Sequence, residues 1–404
     1  MVQILVYTGL FLSLYFGIFV FLTFTENKKR IYLKAKQYFP SVSLIVPCFN
    51  EQENVKTILQ SLFDLNYPKE KLEIIAIDDG SKDSTLKEMK EFQGTHPSLQ
   101  IFHKENGGKH TALNLGIEHS KGDIIGCVDA DCIVEKEALR KMVKYFDQAS
   151  IVISTIKIMH PKNILEGIQY AEYLMSAFLK KVFSFLGSIS VTPGPLSLFK
   201  REALKQLGPY KEAYLTEDLE MALRAQSKNI RIVHALESIV YTKAQKSLKG
   251  LCKQRLRWRR GFLLNLNDYR NLLNIKEHGN LSVMLFYNLF GALLTISLIS
   301  YSLYRFFNFV FTRLGNALLI NFDFYPFLSD IGWPSVNIKP VMVLGFLSIL
   351  TILCFLLFGK KLTFDKKSLK KKALIYLVCY SFLNGVWWVL AGFSILLRRE
   401  IAWQ

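Results

Sequence analysis

Five short stretches of this chain carry residue types that can do chemistry. Asp129-Ala130-Asp131 puts two carboxylates two residues apart. In extended chain such residues share one face, so both point to one place against their mutual repulsion. A divalent cation would explain that arrangement, since Mg²⁺ or Mn²⁺ takes carboxylate oxygens and bridges to phosphates; a solvated turn is the plain alternative. Asp78-Asp79-Gly80-Ser81 is another acidic pair. It suits a base, a ribose or a metal, and equally a turn with a helix cap. Thr216-Glu217-Asp218 reads either as a helix start, with acids in the first turn, or as the seat of a general base. In Asn106-Gly107-Gly108-Lys109-His110, paired glycines precede a lysine that could serve a diphosphate as a point charge. Neither the Walker A spacing nor G-x-G-x-x-G is present. The fifth stretch, Leu251 to Gly261, is dense in Lys and Arg around Trp258.

These residues need elements to hold them. From Ser41 to about Tyr241, β-rich runs alternate with helical ones. "SVSLIVP" is followed by Gln52 to Phe63, "LEIIAID" by Ser84 to Phe92, "LQIFH" by Thr111 to His119, and "DIIGCVD" by Glu135 to Phe146. This alternation predicts βαβ units and a mostly parallel sheet, an α/β fold. Such sheets bind ligands at the carboxyl ends of their strands. Asp78-Asp79 and Asp129-Asp131 both fall there.

The rest of the chain is of another kind. Half of its 404 residues are hydrophobic, with 31 Phe and 18 Tyr, and the net charge is +18. Gln3 to Phe24 is long and apolar enough to cross a bilayer, and Lys28, Lys29, Arg30, Lys34 and Lys36 follow it. Positive charge after the apolar run predicts an uncleaved anchor with its N-terminus outside and the next domain in the cytoplasm. Leu281 to Tyr304, Val341 to Phe358 and Leu374 to Leu397 predict three more spans; Phe309 to Phe327 is too interrupted to count as one. "GKKLTFDKKSLKKK", with seven lysines and one aspartate, marks a cytoplasmic loop. That leaves Arg305 to Pro340 outside, with Arg398 and Arg399. Much of the excess charge thus flanks membrane segments. The expected partner is the lipid leaflet; no nucleic-acid-binding signature is present. Six cysteines without metal or disulfide spacing read as reduced, buried thiols.

Taken in order, "VPCFNE", "DDGSKDST", "NGGKHTALN", "VDADC", "TPGPLSLF", "LTED" and "QRLRW" closely resemble the processive family 2 glycosyltransferases. These include the synthases of cellulose, chitin, hyaluronan and poly-N-acetylglucosamine. The resemblance covers about Ser43 to Trp258 and the pattern of flanking spans. It implies a GT-A domain, a UDP-sugar donor and a Mg²⁺ or Mn²⁺ cofactor. On this sequence it implies Pro47, Asp78, Asp79, Lys109, Asp129, Gln254 and Arg257 on the donor side. Asp129 and Asp131 would hold the metal, and Asp218 would be the catalytic base. Gly194, Pro195, Leu196, Glu217 and Trp258 would line the acceptor side. Glycosylceramide synthases resemble the same motif set, so a lipid acceptor stands beside a growing polysaccharide. The implied organisation is an anchor at 1–26, a cytosolic GT-A domain at 40–243, amphipathic interfacial helices at 244–280 and a membrane region of about three spans at 281–404. Leu248, Leu251, Cys252, Trp258 and Phe262 form an apolar stripe on the basic helix. Lys249, Lys253, Arg255, Arg259 and Arg260 are expected to meet headgroups from its flanks.

Overall fold

The computed structural model describes residues 2–32, 38–319, 338–368 and 375–397. Its α/β part is built on β1 (Val42–Cys48), α2 (Val55–Phe63), β2 (Leu72–Asp78), α3 (Thr85–Thr95), β3 (Leu99–His103), α4 (Lys109–His119) and β4 (Ile124–Cys127), preceded by the long apolar α1 (Val2–Glu26). Then come β5 (Cys132–Val134), α5 (Ala138–Val143), β6 (Ile151–Ile158), α6 (Ile164–Phe185), β7 (Ser197–Lys200), α7 (Arg201–Leu207), α8 (Glu217–Ser227) and β8 (Ile232–Thr242).

The eight strands form one sheet in the order β3-β2-β1-β4-β7-β6-β8-β5. The β3-β2-β1-β4 half is parallel, as the alternation requires. The other half is mixed: β7 is antiparallel to both β4 and β6, and β5 is antiparallel to β8. Alternation along the strands sends side chains to opposite faces. Leu44 and Val46 meet α2, α3 and α5 in one core, while Ile45, Ile75 and Ile77 meet α4, α7 and α8 in another. Both faces are covered, which is why β6 is buried along its whole length. The reversal of strand order beside β1 and β4 opens the carboxyl edge where β1, β2 and β4 end, the place such sheets use for ligands.

Beyond β8 lie α9 (Leu248–Asp268), α10 (Ile275–His278), α11 (Asn280–Leu319), α12 (Ile338–Leu362) and α13 (Ser381–Leu396). Among the described residues, three helical segments are long and apolar enough to cross a membrane: Gln3–Glu26, Asn280–Thr312 and Met342–Leu362. α11 runs unbroken to Leu319, into the Phe309 to Phe327 stretch that its polar interruptions argued against. The expected span from Leu374 is a π-turn over Tyr376–Tyr380 followed by α13, a shorter apolar helix. α12 packs on α6 and α1, joined by Val20, Phe24, Phe178 and Phe355. Lys34 and Lys36, much of the expected Arg305 to Pro340 loop, the last lysines of the basic loop, and Arg398 and Arg399 lie outside the described residues.

Candidate active site

β2 ends in Asp78, its neighbour Asp79 begins the turn, and both are nearly fully buried. His103 Nδ1 bonds Asp78 Oδ2 at 2.6 Å, and Lys104 Nζ lies 2.7 Å from Asp79 Oδ1, which also accepts from Gly107 N. Asp78 Oδ1 is buried without a protein partner, so one carboxylate oxygen at the strand end retains its capacity to accept. Gly80 has φ +73°, and a Cβ there would come within 2.6 Å of Asn106 N. Only glycine lets the Asp-Asp turn and the Asn106-Gly107 loop approach so closely. Pro47 sits in β1 opposite Ile77, one residue short of the Cys48–Asp78 pair.

The second cluster joins four motifs. Lys109, at the start of α4, reaches Asp129 Oδ1 at 2.7 Å and Glu217 Oε1 at 3.2 Å. Asp129 N donates to Gly194 O, and a Cβ on Gly194 would stand 2.6 Å from Asp129 Oδ1 and 2.7 Å from Lys109 Nζ. Ligand atoms of Asp129, Asp131 and Cys132 lie within 4.8 Å of one another, so the two carboxylates do converge. Burial, then Asp129, push the Asp131 carboxyl up. Cys132 Sγ donates to Asp131 Oδ1 at 3.3 Å, and burial raises its thiol well above the usual range. The thiol therefore stays protonated and leaves a pair of hard oxygens, the donor type that Mg²⁺ and Mn²⁺ prefer.

Asp218 lies in the first turn of α8, with its backbone carbonyl held by Thr192 N and Oγ1. Burial, and then Glu217, push its carboxyl up to about 6. Burial works to raise Glu217 as well, but Lys109, its own backbone N–H and Arg257 outweigh it and hold that carboxyl below its usual range. Burial would lower Lys109; Asp129, Glu217 and Asp218 overcome it and keep the ammonium charged. Two adjacent acids thus diverge: one is fixed as an anion, the other is poised to take a proton near neutral pH. Such divergence is characteristic of acid–base sites.

Thr216 occupies the N-cap position of α8, yet its side chain does not cap the helix. Its hydroxyl donates to Ala213 O and accepts from Asn265 Nδ2 at 3.0 Å. Ala213, Tyr214 and Leu215 are all left-handed, with φ 46°, 55° and 61°. Arg257 Nη1 donates to Leu215 O at 2.9 Å, and Tyr214 OH to Asp268 Oδ2 at 3.0 Å. α9 therefore grips the turn that leads into Asp218.

Several expected placements change. Leu196 is 1% exposed, within the core, and its carbonyl accepts from Ser154; its side chain does not line a site. Gly194, expected on the acceptor side, abuts Asp129 and Lys109, two residues expected on the donor side. Pro195, between them, is half-buried. Arg255 and Arg259, expected at headgroups, take partners within the protein. Arg255 is buried against Glu172, and Arg259 bonds Asn384 and lies over Trp388. The Arg255 guanidinium stacks 4.1 Å over Trp258 and donates to Gln254 Oε1. Lys249 and Lys253 remain exposed. Trp387 and Trp388 are buried packing residues.

The motif reading missed His103 and Lys104, although they end a strand at the same sheet edge. It also missed Lys180 of α6, whose ammonium burial pushes down to about 8, with Asp218 and Glu172 opposing.

A mixed α/β sheet with an acidic and basic cluster at its carboxyl edge, beside helices long and apolar enough to cross a membrane, has the architecture of a GT-A-like domain. Residues 43–208 match the family described as "Glycosyl transferase family 2". A poly-beta-1,6-N-acetyl-D-glucosamine synthase of Staphylococcus epidermidis is 29% identical over 283 residues, 68% of this chain and 68% of the relative. One of Staphylococcus aureus (strain COL) is 30% identical over 224 residues, 54% of each chain. Among solved structures, the mannosyltransferase PcManGT of Pyrobaculum calidifontis, in complex with GDP-Man and Mn²⁺, superposes with a TM-score of 0.63. It covers 99% of this chain and 100% of its own, at 18% identity, a likeness of fold.

Proposed function

We propose that this chain is a membrane-embedded, inverting β-glycosyltransferase that transfers N-acetylglucosamine from UDP-N-acetylglucosamine to a growing polysaccharide and moves the product across the membrane. The observation that carries this reading is the convergence of Lys109, Asp129, Glu217 and Asp218 at the carboxyl edge of the sheet. The named relatives support the choice of sugar.

Inversion needs a single displacement. The acceptor oxygen bonds to the anomeric carbon as the bond from that carbon to the diphosphate oxygen breaks. The electron pair leaves on UDP. The acceptor proton passes to Asp218, whose raised carboxyl suits a base working near neutrality. Lys109 and Arg257 face the charge that develops on the leaving group. Glu217 stays ionised and holds Lys109 in place. Asp129 and Asp131 would hold Mg²⁺ or Mn²⁺, which supplies Lewis-acid charge at the diphosphate when bound. Asp78 and Asp79 would take the uridine. Trp258, with Arg255 on one face of its ring, would hold the acceptor sugar. The anchor would place the N-terminus outside, with residues 40–243 in the cytoplasm.

Purified protein with Mn²⁺ or Mg²⁺ and UDP-N-acetylglucosamine should release UDP and make a long product that a poly-N-acetylglucosamine hydrolase degrades, with activity lost to a chelator. A product limited to one sugar on an extractable lipid would overturn the polymer reading. The pH profile gives a second check. Asp218 must be deprotonated to act, so kcat/KM should fall about tenfold per pH unit below about 6 and level off above it. A limb no higher than the ordinary aspartate range would count against Asp218.

A further inference from the structure

α9 carries two stripes. Arg257, Gly261 and Asn265, four residues apart on one face, all touch the turn before Asp218. Cys252, Arg255, Arg259 and Phe262 follow another face, and each meets the 376–396 segment directly or through one residue. Trp387 Nε1 donates to Cys252 Sγ at 3.3 Å, Arg259 Nη2 to Asn384 Oδ1 at 2.6 Å, and Phe262 meets the Trp388 ring edge-on at 6.1 Å. The one residue that mediates is Glu172 of α6. Its Oε2 accepts from Arg255 Nη2 at 2.6 Å, and its Oε1 accepts from Tyr380 OH at 2.7 Å.

Glu172 thus ties three elements together with one carboxylate. Arg255 is fully buried and Glu172 largely so, which makes this a largely buried ion pair with a hydrogen bond on the second oxygen. Such a pair is weak evidence for stability, but breaking it leaves an uncompensated charge, so it tolerates little movement. Tyr380 closes the π-turn and stacks on Tyr376 at 4.6 Å. π-turns are rare and gather at functional sites.

We propose that Glu172 is a positioning residue. It clamps α9 in register against the 376–396 segment, and the opposite stripe of α9 then sets the left-handed turn and Asp218. The arrangement of the segment after the lysine loop thereby reaches the base without touching substrate. This inference rests on the reading of Asp218 as the base.

The test is a double-mutant cycle on the full chain in liposomes, with kcat, donor KM and UDP affinity measured for each variant. Glu172→Gln should lower kcat about tenfold and Tyr380→Phe about threefold, with donor KM and UDP affinity within about twofold of the parent. Because Tyr380 acts through Glu172, the double variant should be no worse than Glu172→Gln alone. Unchanged kcat in both single variants, multiplying losses in the double, or a donor KM that rises in step with the loss of kcat would each overturn the clamp. If Glu172→Gln does not fold, Arg255→Lys paired with Tyr380→Phe provides the same cycle. An active Asp218→Asn variant would remove the base assignment alone; multiplying Glu172 and Tyr380 losses would remove the clamp alone.

Discussion

Asp218→Asn should lose about 10²–10⁴-fold in kcat while UDP affinity stays close to that of the parent. Asparagine matches aspartate in shape, and the local bonds survive. Leu219 N can still donate to the side-chain oxygen, and Thr192 still holds the backbone carbonyl. What disappears is a group able to take the acceptor proton. The loss corresponds to about 3–5 kcal/mol of transition-state stabilisation, far beyond what one lost surface charge would give. The neighbouring Glu217 does not substitute, because Lys109 and Arg257 hold its carboxyl low and Lys109 is paired with it. Calorimetric UDP titration beside initial rates separates the two effects. Retained transfer would show that another group takes the proton, and a matching loss of UDP affinity would show that Asp218 serves the donor.

The parallel half of the sheet was legible because its strands are β-branched runs bounded by turn residues. "LEIIAID" and "LQIFH" coincide with β2 and β3. The acids were legible because a parallel sheet presents its strand ends to ligands. The mixed half was not read. β5 and β7 are three and four residues long, too short for a period. β6, "IVISTIKI", is a run rich in β-branched residues, which was there to be found. Arg255 shows a different limit. A basic run looks the same whether each charge meets a headgroup or a buried carboxylate, and Glu172 lies 83 residues away. Nor does Ala213-Tyr214-Leu215 announce a left-handed turn, since it contains no glycine, asparagine or aspartate. That turn exists because α9 holds it, a tertiary fact with no local signal.

Gly261→Ala should therefore cost about 10²-fold in kcat, although Gly261 is on α9 and has no role in the proposed chemistry. A Cβ there would stand 2.5 Å from Thr216 Cγ2 and closer still to Oγ1. Thr216 cannot swing aside: a β-branched residue is stiff at χ1, and its hydroxyl is bonded to Ala213 O and Asn265 Nδ2. Nor can the preceding turn yield freely, because three left-handed residues at roughly 1–2 kcal/mol each persist only while α9 holds them. So the helix and the turn must part, carrying Asp218 with the turn. A displacement of about 1 Å at a reacting group is enough for a 10²-fold loss. Thr216→Ala on the same background removes both offending atoms, leaving Cβ at 3.0 Å as the nearest. Asn265 Nδ2 keeps Gly261 O and Ala213 O as acceptors. The double variant should consequently recover much of the lost rate, because the defect is a clash rather than a missing group. Full activity in Gly261→Ala, or no recovery in the double variant, would show that the contact between α9 and Thr216 does not set the position of the base.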